Sequence, residues 1–382
     1  MTEHTSDVVV VGAGLIGLAT AWRLAADGIQ VTVCDPTPGA QTSQVAAGML
    51  APVTEVEYGE DDLLALNLAG VNAWPAFAAE LEELTGLSAG LHQTGTLSVA
   101  YDVDDAAALR RLADYQRRLG LEVEELSGRD ARRREPLLAT GVSGGVWVPN
   151  DHSVDNRQAV AALLRAIDLS GVQLIRQHVA RVITSGTTAV GVLLDNGDTV
   201  HAGTVIGAAG PWSSQLEGVP EELRPPVRPV KGEVLRLRVP EAYRPALRHT
   251  VRATARGFSV YLVPRPGGEL VVGATTSELG YDTRVLAGGV FSLLRDARTV
   301  LPVMDELELV ETIAGLRPAT PDNAPILGPS GLDRLLWATG HYRNGVLLTP
   351  ITAQILADTV RTGDLPDLGK PFLGSRFGQS GH

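Results

Sequence analysis

The sequence predicts an α/β protein in two interleaved parts, the first built on a parallel sheet and the second, α+β in character, on an antiparallel one. Three observations predict it. A strand–helix–strand pattern occupies residues 8–35, a three-stranded meander leading into a glycine turn occupies residues 178–212, and two blocks of alternating apolar residues break into the remainder.

The first element is VVVV at residues 8–11, β-branched throughout, which reads as a buried strand. GAGLIG follows at residues 12–17, a G-x-G-x-x-G turn opening a helix with Leu15, Leu18, Ala19, Trp22 and Leu24 on its buried side. Gly28 ends that helix, residues 29–33 form the second strand, and Asp35 closes it about 20 residues beyond the glycines. Gly12, Gly14 and Gly17 permit a tight turn and close backbone approach, while the helix N-terminus at Leu15 and Ile16 stabilises a pyrophosphate. Asp35 accepts hydrogen bonds from ribose hydroxyls and repels a 2′-phosphate. A glycine turn alone matches many loops by chance. Strand, helix, second strand and terminal acid together predict a dinucleotide site.

A loop of small residues follows at 36–52, PTPGAQTSQVAAGMLAP. Thr42 and Ser43 suit phosphate hydrogen bonding, and Ala46, Ala47 and Gly48 let the backbone pass close to a flat ring. Residues 178–212 then read as strand, turn, strand, hairpin at Asn196-Gly197, strand, a return strand at 204–208 and a closing turn at Ala209-Gly210-Pro211-Trp212. A meander ending in a glycine turn resembles the FAD-binding elaboration of the Rossmann-like dinucleotide fold. An NAD dehydrogenase would continue with further strand–helix–strand units instead.

The interruptions lie at 91–150 and 226–304. The first carries TGTLSVAYD, a helical run around residues 106–119 and VSGGVWVPN. The second carries VKGEVLRLRV, a hairpin turning at Pro266-Gly267-Gly268 and a helix from roughly 284 to 300. Antiparallel strands with helices on one face predict a substrate-binding domain inserted twice into an FAD-binding domain comprising 1–90, 151–225 and 305–375. Residues 376–382 are predicted to be a tail without fixed structure.

Composition narrows the function. The 382 residues are 44% hydrophobic and 20% charged, with a formal net charge of −12, which argues against nucleic-acid and anionic-membrane partners. The single cysteine, Cys34, excludes an intrachain disulfide and points to a cytoplasmic location; it also excludes a C-x-x-C reductase. No targeting signal, transmembrane run, metal-binding cluster or G-x-S-x-G elbow is legible, so no metal is expected. What remains is two arginines and a tyrosine in unusual places. Arg317 directly follows an apolar strand end, Arg343 sits in HYRNG where a strand hands over to a helix, and Tyr261 faces opposite to Val260 and Leu262 within its strand. Each also has a plain structural reading, as a loop cap, a partner to a surface acid or a core ring.

TSQVAAGMLAP, VRPVKGEVLRL, VYLVP, LVVGATT, AGLRPATPDNAPILGP and ATGHYRNGVLLTPITAQILAD occur in that order. With the glycine turn they resemble the D-amino-acid oxidase-like FAD-dependent oxidoreductases, and within them the glycine oxidases of thiamine biosynthesis, across nearly the whole chain. The resemblance implies oxidative deamination of glycine or another small amino acid. Hydride would pass from the α-carbon to FAD, the imine would hydrolyse to glyoxylate or another oxo acid and ammonia, and oxygen would be reduced to hydrogen peroxide. Some relatives attach FAD through a cysteine, but Cys34 stands beside Asp35 at the ribose end, far from the ring, which predicts non-covalent FAD. The resemblance implies that Arg317 grips the substrate carboxylate in a bidentate fork, with Arg343 beside it and the Tyr261 hydroxyl on the same group. It further places Pro36, Met49, Val179, Gly210 and the run His341, Tyr342, Arg343, Asn344, Gly345, Val346 and Leu347 against FAD, the last run bringing a helix N-terminus to the flavin. A homo-oligomer is compatible with it. The alternative within the family is a sarcosine or D-amino-acid oxidase or dehydrogenase using another electron acceptor. A flavin-dependent tRNA-modification protein and a non-catalytic flavoprotein rank below, the first against the acidic charge, the second leaving Arg317, Arg343 and Tyr261 without purpose.

Overall fold

The computed structural model describes residues 2–378 and holds two large sheets joined by a small one. Glu3–Val11 lies at the centre of the first sheet, parallel to Val31–Cys34 on one side and to Thr199–Gly207 on the other. Its inner half is fully apolar, and Val9 and Val10 are wholly buried, as a strand covered on both faces requires. The helix Leu15–Ala26 packs its buried side, Leu18 and Leu24 included, into the same core and ends before Gly28 at φ 80°.

The meander is present as Val179–Ser185, Thr188–Leu194 and Thr199–Gly207, with one difference from the sequence reading. The expected third strand and return strand are one continuous strand. Its first residues pair antiparallel with Thr188–Leu194, and its last pair parallel with Leu335–Thr339 along the same edge. The break lies in the neighbour, since one strand serves two partners in succession.

The second sheet has eight strands, and Thr96–Ala100 from the first insertion lies parallel to Thr250–Ala255 from the second. That pairing knits the two inserted segments into one body. Phe258–Pro264 and Glu269–Gly273 form the expected hairpin, and the helix behind them is Ala287–Val300. The boundary expected at 305 needs correction. Glu308–Ala319 runs antiparallel along the whole of Arg228–Arg238 and belongs to this sheet, and the chain rejoins the first sheet only at Ile326–Pro329. Apolar alternation does not say which sheet a strand joins. Met49–Leu50, His152–Val154 and Leu91–His92 form the small sheet at the join.

A 25-residue helix, Asp61–Thr85, crosses the first domain and ends on Gly86 at φ 68°. Buried Trp74 within it donates Nε1–H to the carbonyls of Val346 and Leu347, at 3.1 Å each, and so braces the turn before the last helix, Thr349–Thr362. The tail expected from residue 376 does not begin there. Gly374–Phe377 forms a 3-10 turn in which Arg376 pairs with Asp322 at 2.8 Å; residues 379–382 of that tail lie outside the described residues.

Candidate active site

A single cleft runs from the end of the second strand, past the glycine turn, to the inner face of the second sheet. At its first end the three glycines have separate jobs. A Cβ at Gly12 would stand 2.5 Å from the Ala208 carbonyl oxygen, and one at Gly17 would stand 2.0 Å from that of Gly12. Those two are demanded by packing, and Gly17 does not face the cleft. A Cβ at Gly14 would meet only Ser43 Oγ, at 3.2 Å, so Gly14 is the one open to a bound group. Leu15 and Ile16 follow at the helix start and line the cleft, and the N-cap residue, Gly14, has no side chain to cap that helix.

Asp35 and Pro36 lie beside this turn. The Asp35 carboxylate accepts the Ala13 and Thr37 backbone N–H groups, at 2.7 Å each, which fixes it and leaves lone pairs on both oxygens. Thr42, Ser43, Ala47, Gly48 and Met49 form the adjoining wall. Ser43 Oγ accepts the Leu15 N–H at 3.0 Å, standing where the helix N-terminus opens. Thr42 is turned away from that point, donating its hydroxyl to the Leu316 carbonyl at 2.7 Å. Buried Arg265, its pKa pushed down to about 10 by burial, donates to the Ala47 carbonyl and holds this wall from behind. Val179 and Gly210 line the opposite side. Cys34 is buried, and burial pushes its thiol up to about 12, so the sulfur stays protonated.

At the second end Tyr261 and Arg317 meet, carried by strands far apart in sequence. Tyr261 pairs across the sheet with Gly273, where a Cβ would stand 2.3 Å from the tyrosine oxygen. Arg317 pairs with Val230 and leans over the diagonal neighbour Gly232, whose Cβ would fall 2.4 Å from Nη1. Two missing side chains therefore give these two groups room to lie flat. Arg317 Nη1 donates to the Thr275 carbonyl at 3.2 Å, and Thr275 is pinned by buried Glu233, which accepts its hydroxyl at 3.0 Å. Among the described residues Arg317 has no carboxylate partner. Burial pushes the Tyr261 hydroxyl above its ordinary pKa, with the Arg317 charge opposing, so it remains a donor.

The run from His341 completes the cleft. His341, Tyr342, Arg343, Gly345 and Val346 face it; Asn344 and Leu347 do not, the latter being packed into the core with its carbonyl on Trp74. The helix begins at Thr349, later than the handover expected at HYRNG, and residues 345–348 form the preceding turn. The N–H groups of Gly345, Val346 and Leu347 have no acceptor among the described residues. His341 is buried against the Thr352 hydroxyl at 3.0 Å, and burial pushes its pKa down to about 3, so it is neutral. Arg343 lines the cleft, but its guanidinium is paired with Glu57 and lies over the Tyr342 ring at 5.3 Å. Burial works against its charge, yet Glu55 and Glu57 offset this and hold its pKa above the ordinary arginine value.

Several lining residues escaped the sequence reading. Glu55, hydrogen-bonded to Arg252 197 positions away, carried no local signal. Trp212, stacked on Tyr281 at 6.1 Å, was read only as part of a turn. Gly232 could have been found, since a glycine inside a strand marks a close approach. Among the described residues no group of His, Cys, Asp and Glu could hold a metal ion, and no helix is long and apolar enough to cross a membrane.

Comparison with known proteins gives this geometry a context. A profile of the family described as FAD dependent oxidoreductase (DAO) matches residues 7–359. The bifunctional protein ThiO/ThiG of Trichormus variabilis is 34% identical over 98% of this chain and 55% of its own length; the chain thus spans about half of that relative. The glycine oxidase of Geobacillus kaustophilus is 36% identical, covering 94% of this chain and 93% of the relative. A crystal structure of glycine oxidase from the same species superposes with a TM-score of 0.89 at 35% identity, over 98% of this chain and 99% of that one.

Proposed function

The chain belongs to the FAD-dependent oxidoreductase (DAO) family, and on that premise we propose that it is an oxidase of glycine or a similarly small amino acid, serving thiazole formation in thiamine biosynthesis. The observation that carries the substrate class is Arg317: a cleft arginine without an acid partner among the described residues, braced flat over Gly232 and set beside a protonated tyrosine hydroxyl. A planar guanidinium in that state takes a carboxylate in two parallel hydrogen bonds.

The other end fits FAD. Gly14 leaves its side of the turn open, the helix start offers the Ile16 N–H and the Ser43 hydroxyl to a pyrophosphate, and Asp35 keeps lone pairs for ribose hydroxyls. Bound FAD supplies the two-electron acceptance that turns the amine into an imine and delivers the electrons to oxygen as hydrogen peroxide. The chain's own residues do the rest. Arg317 and Tyr261 hold the carboxylate and so fix where the α-carbon lies, which is the positioning part of the rate. The free N–H groups of Gly345 and Val346 place fixed positive dipoles on the cleft wall, where they stabilise developing negative charge without reorganisation. Neutral His341 adds no charge there and fastens that turn to the last helix. Cys34, buried and protonated, is a poor nucleophile, which supports non-covalent FAD, and a lone reduced thiol supports a cytoplasmic location.

The test is to add glycine to the yellow holoprotein without oxygen and then re-admit air. Bleaching of the flavin bands followed by one peroxide per flavin is expected. Bleaching by sarcosine or a D-amino acid alone would move the substrate, bleaching without peroxide would make the protein a dehydrogenase, and no bleaching by any small amino acid would overturn the proposal.

A further inference from the structure

Charge can be counted at the substrate end. Arg317 reaches it from Glu308–Ala319, Arg343 from the turn before the last helix, and Arg252, on Thr250–Ala255, stands behind Glu55. Two of these three already have a carboxylate, Arg252 in Glu55 and Arg343 in Glu57. Both glutamates come from one loop, residues 51–57. Its root is fixed by fully buried Asp151, which accepts the Val53 N–H at 3.0 Å and the Thr54 N–H and hydroxyl at 2.7 Å each. Among the described residues this end of the cleft therefore offers one uncompensated positive charge, on Arg317.

A substrate with one carboxylate balances that charge. A substrate with two finds its second group near Arg343, the next arginine lining the cleft, whose guanidinium Glu57 already occupies. The Arg343–Glu57 pair is half-exposed, with side chains 35% and 50% accessible, so it is open to exchange rather than locked in the core. Resting on the function proposed above, we infer that Glu57, by occupying Arg343, restricts this enzyme to amino acids with a single carboxylate. With Glu57 neutralised, Arg343 loses its direct partner and keeps only the more general influence of Glu55, which is itself paired to Arg252, so its guanidinium becomes a second anion site that admits amino dicarboxylates. Discrimination of this kind comes from a built-in repulsion, not from a better fit to the favoured substrate.

The holoenzyme is titrated without turnover, following the flavin spectrum, with acetate and with malonate, which carry one and two carboxylates on a small frame. kcat/KM is then measured for glycine and for iminodiacetate. Glu57→Gln is expected to shift the acetate-to-malonate Kd ratio about tenfold or more towards malonate, and to move the glycine-to-iminodiacetate preference in the same direction. Glu57→Asp keeps the charge and should stay near the wild type, while adding Arg343→Gln to Glu57→Gln should remove the gain. Ratios in Glu57→Gln within about twofold of a wild type that binds acetate and oxidises glycine would overturn this inference alone. A wild type that neither binds acetate nor oxidises glycine would overturn the function it rests on, and the inference with it.

Discussion

The two ends of the cleft are made from different materials. The end proposed to hold the nucleotide is built mainly from backbone: glycines, a helix start whose N-cap is a glycine and a carboxylate that itself grips two backbone N–H groups, all between Gly12 and Thr37. The end proposed to hold the substrate is built from side chains, with Glu55, Tyr261, Arg317 and Arg343 drawn from four distant segments. A backbone site needs one strand–turn–helix to be right. A side-chain site needs the registers of whole sheets, because Tyr261 lies flat only opposite Gly273, and Arg317 only diagonal to Gly232. A one-residue slip in either strand would turn the group to the other face. The lesson is that the two ends should fail separately.

The sharpest way to break that separation is Arg317→Ala. It removes a charge-assisted contact of about 1.5–3 kcal/mol, so KM for the amino acid should rise roughly 10- to 150-fold while flavin content stays at the wild-type level. Loss of flavin in this variant would show the two ends to be one unit. From the other side, Gly14→Ala adds a methyl group at the open point of the turn and should weaken FAD binding about tenfold with little change in the melting temperature of the apoprotein. Gly17→Ala places its methyl group against the Gly12 carbonyl and should lower the apoprotein's melting temperature as well. Equal behaviour of the two glycine variants would erase the distinction between ligand glycine and packing glycine.

A smaller effect is expected from Gly232→Ala, which pushes the Arg317 guanidinium off its seat without touching its charge. KM should rise by roughly severalfold with kcat and FAD affinity nearly unchanged, by the same positioning argument. The smallest effect concerns His341, whose turn serves the cleft from neither end exclusively. Its folded-state pKa is depressed to about 3 by burial, so below the ordinary imidazole value the unfolded chain binds a proton that the native one refuses. Stability should therefore fall as pH drops below about 6.5, with a slope of order 1 kcal/mol per pH unit from this group. In His341→Gln, melting measured at pH 7.5 and at pH 5 should show a shallower loss; an identical slope would mean the imidazole is not the group responsible.

Much of this was determined by the sequence alone. The first strand, the glycine turn and Asp35 were legible because backbone conformation and hydrophobic periodicity are local, and a dinucleotide site uses little else. The hairpin at Pro266-Gly267-Gly268 was legible for the same reason. Tyr261, Arg317 and Arg343 stood out as polar groups at strand ends and in an apolar strand, but their company did not. Tertiary structure alone decided that Thr199–Gly207 serves two neighbours in turn and that Glu308–Ala319 lies in the second sheet, because partner choice depends on which edges the rest of the chain leaves open. Tertiary structure likewise set Glu57 on Arg343 and left Arg317 without an acid among the described residues. Charge pairing is a matter of distance in space, and residues 57 and 343 become neighbours only when the loop anchored on Asp151 and the turn braced by Trp74 are packed into the same cleft.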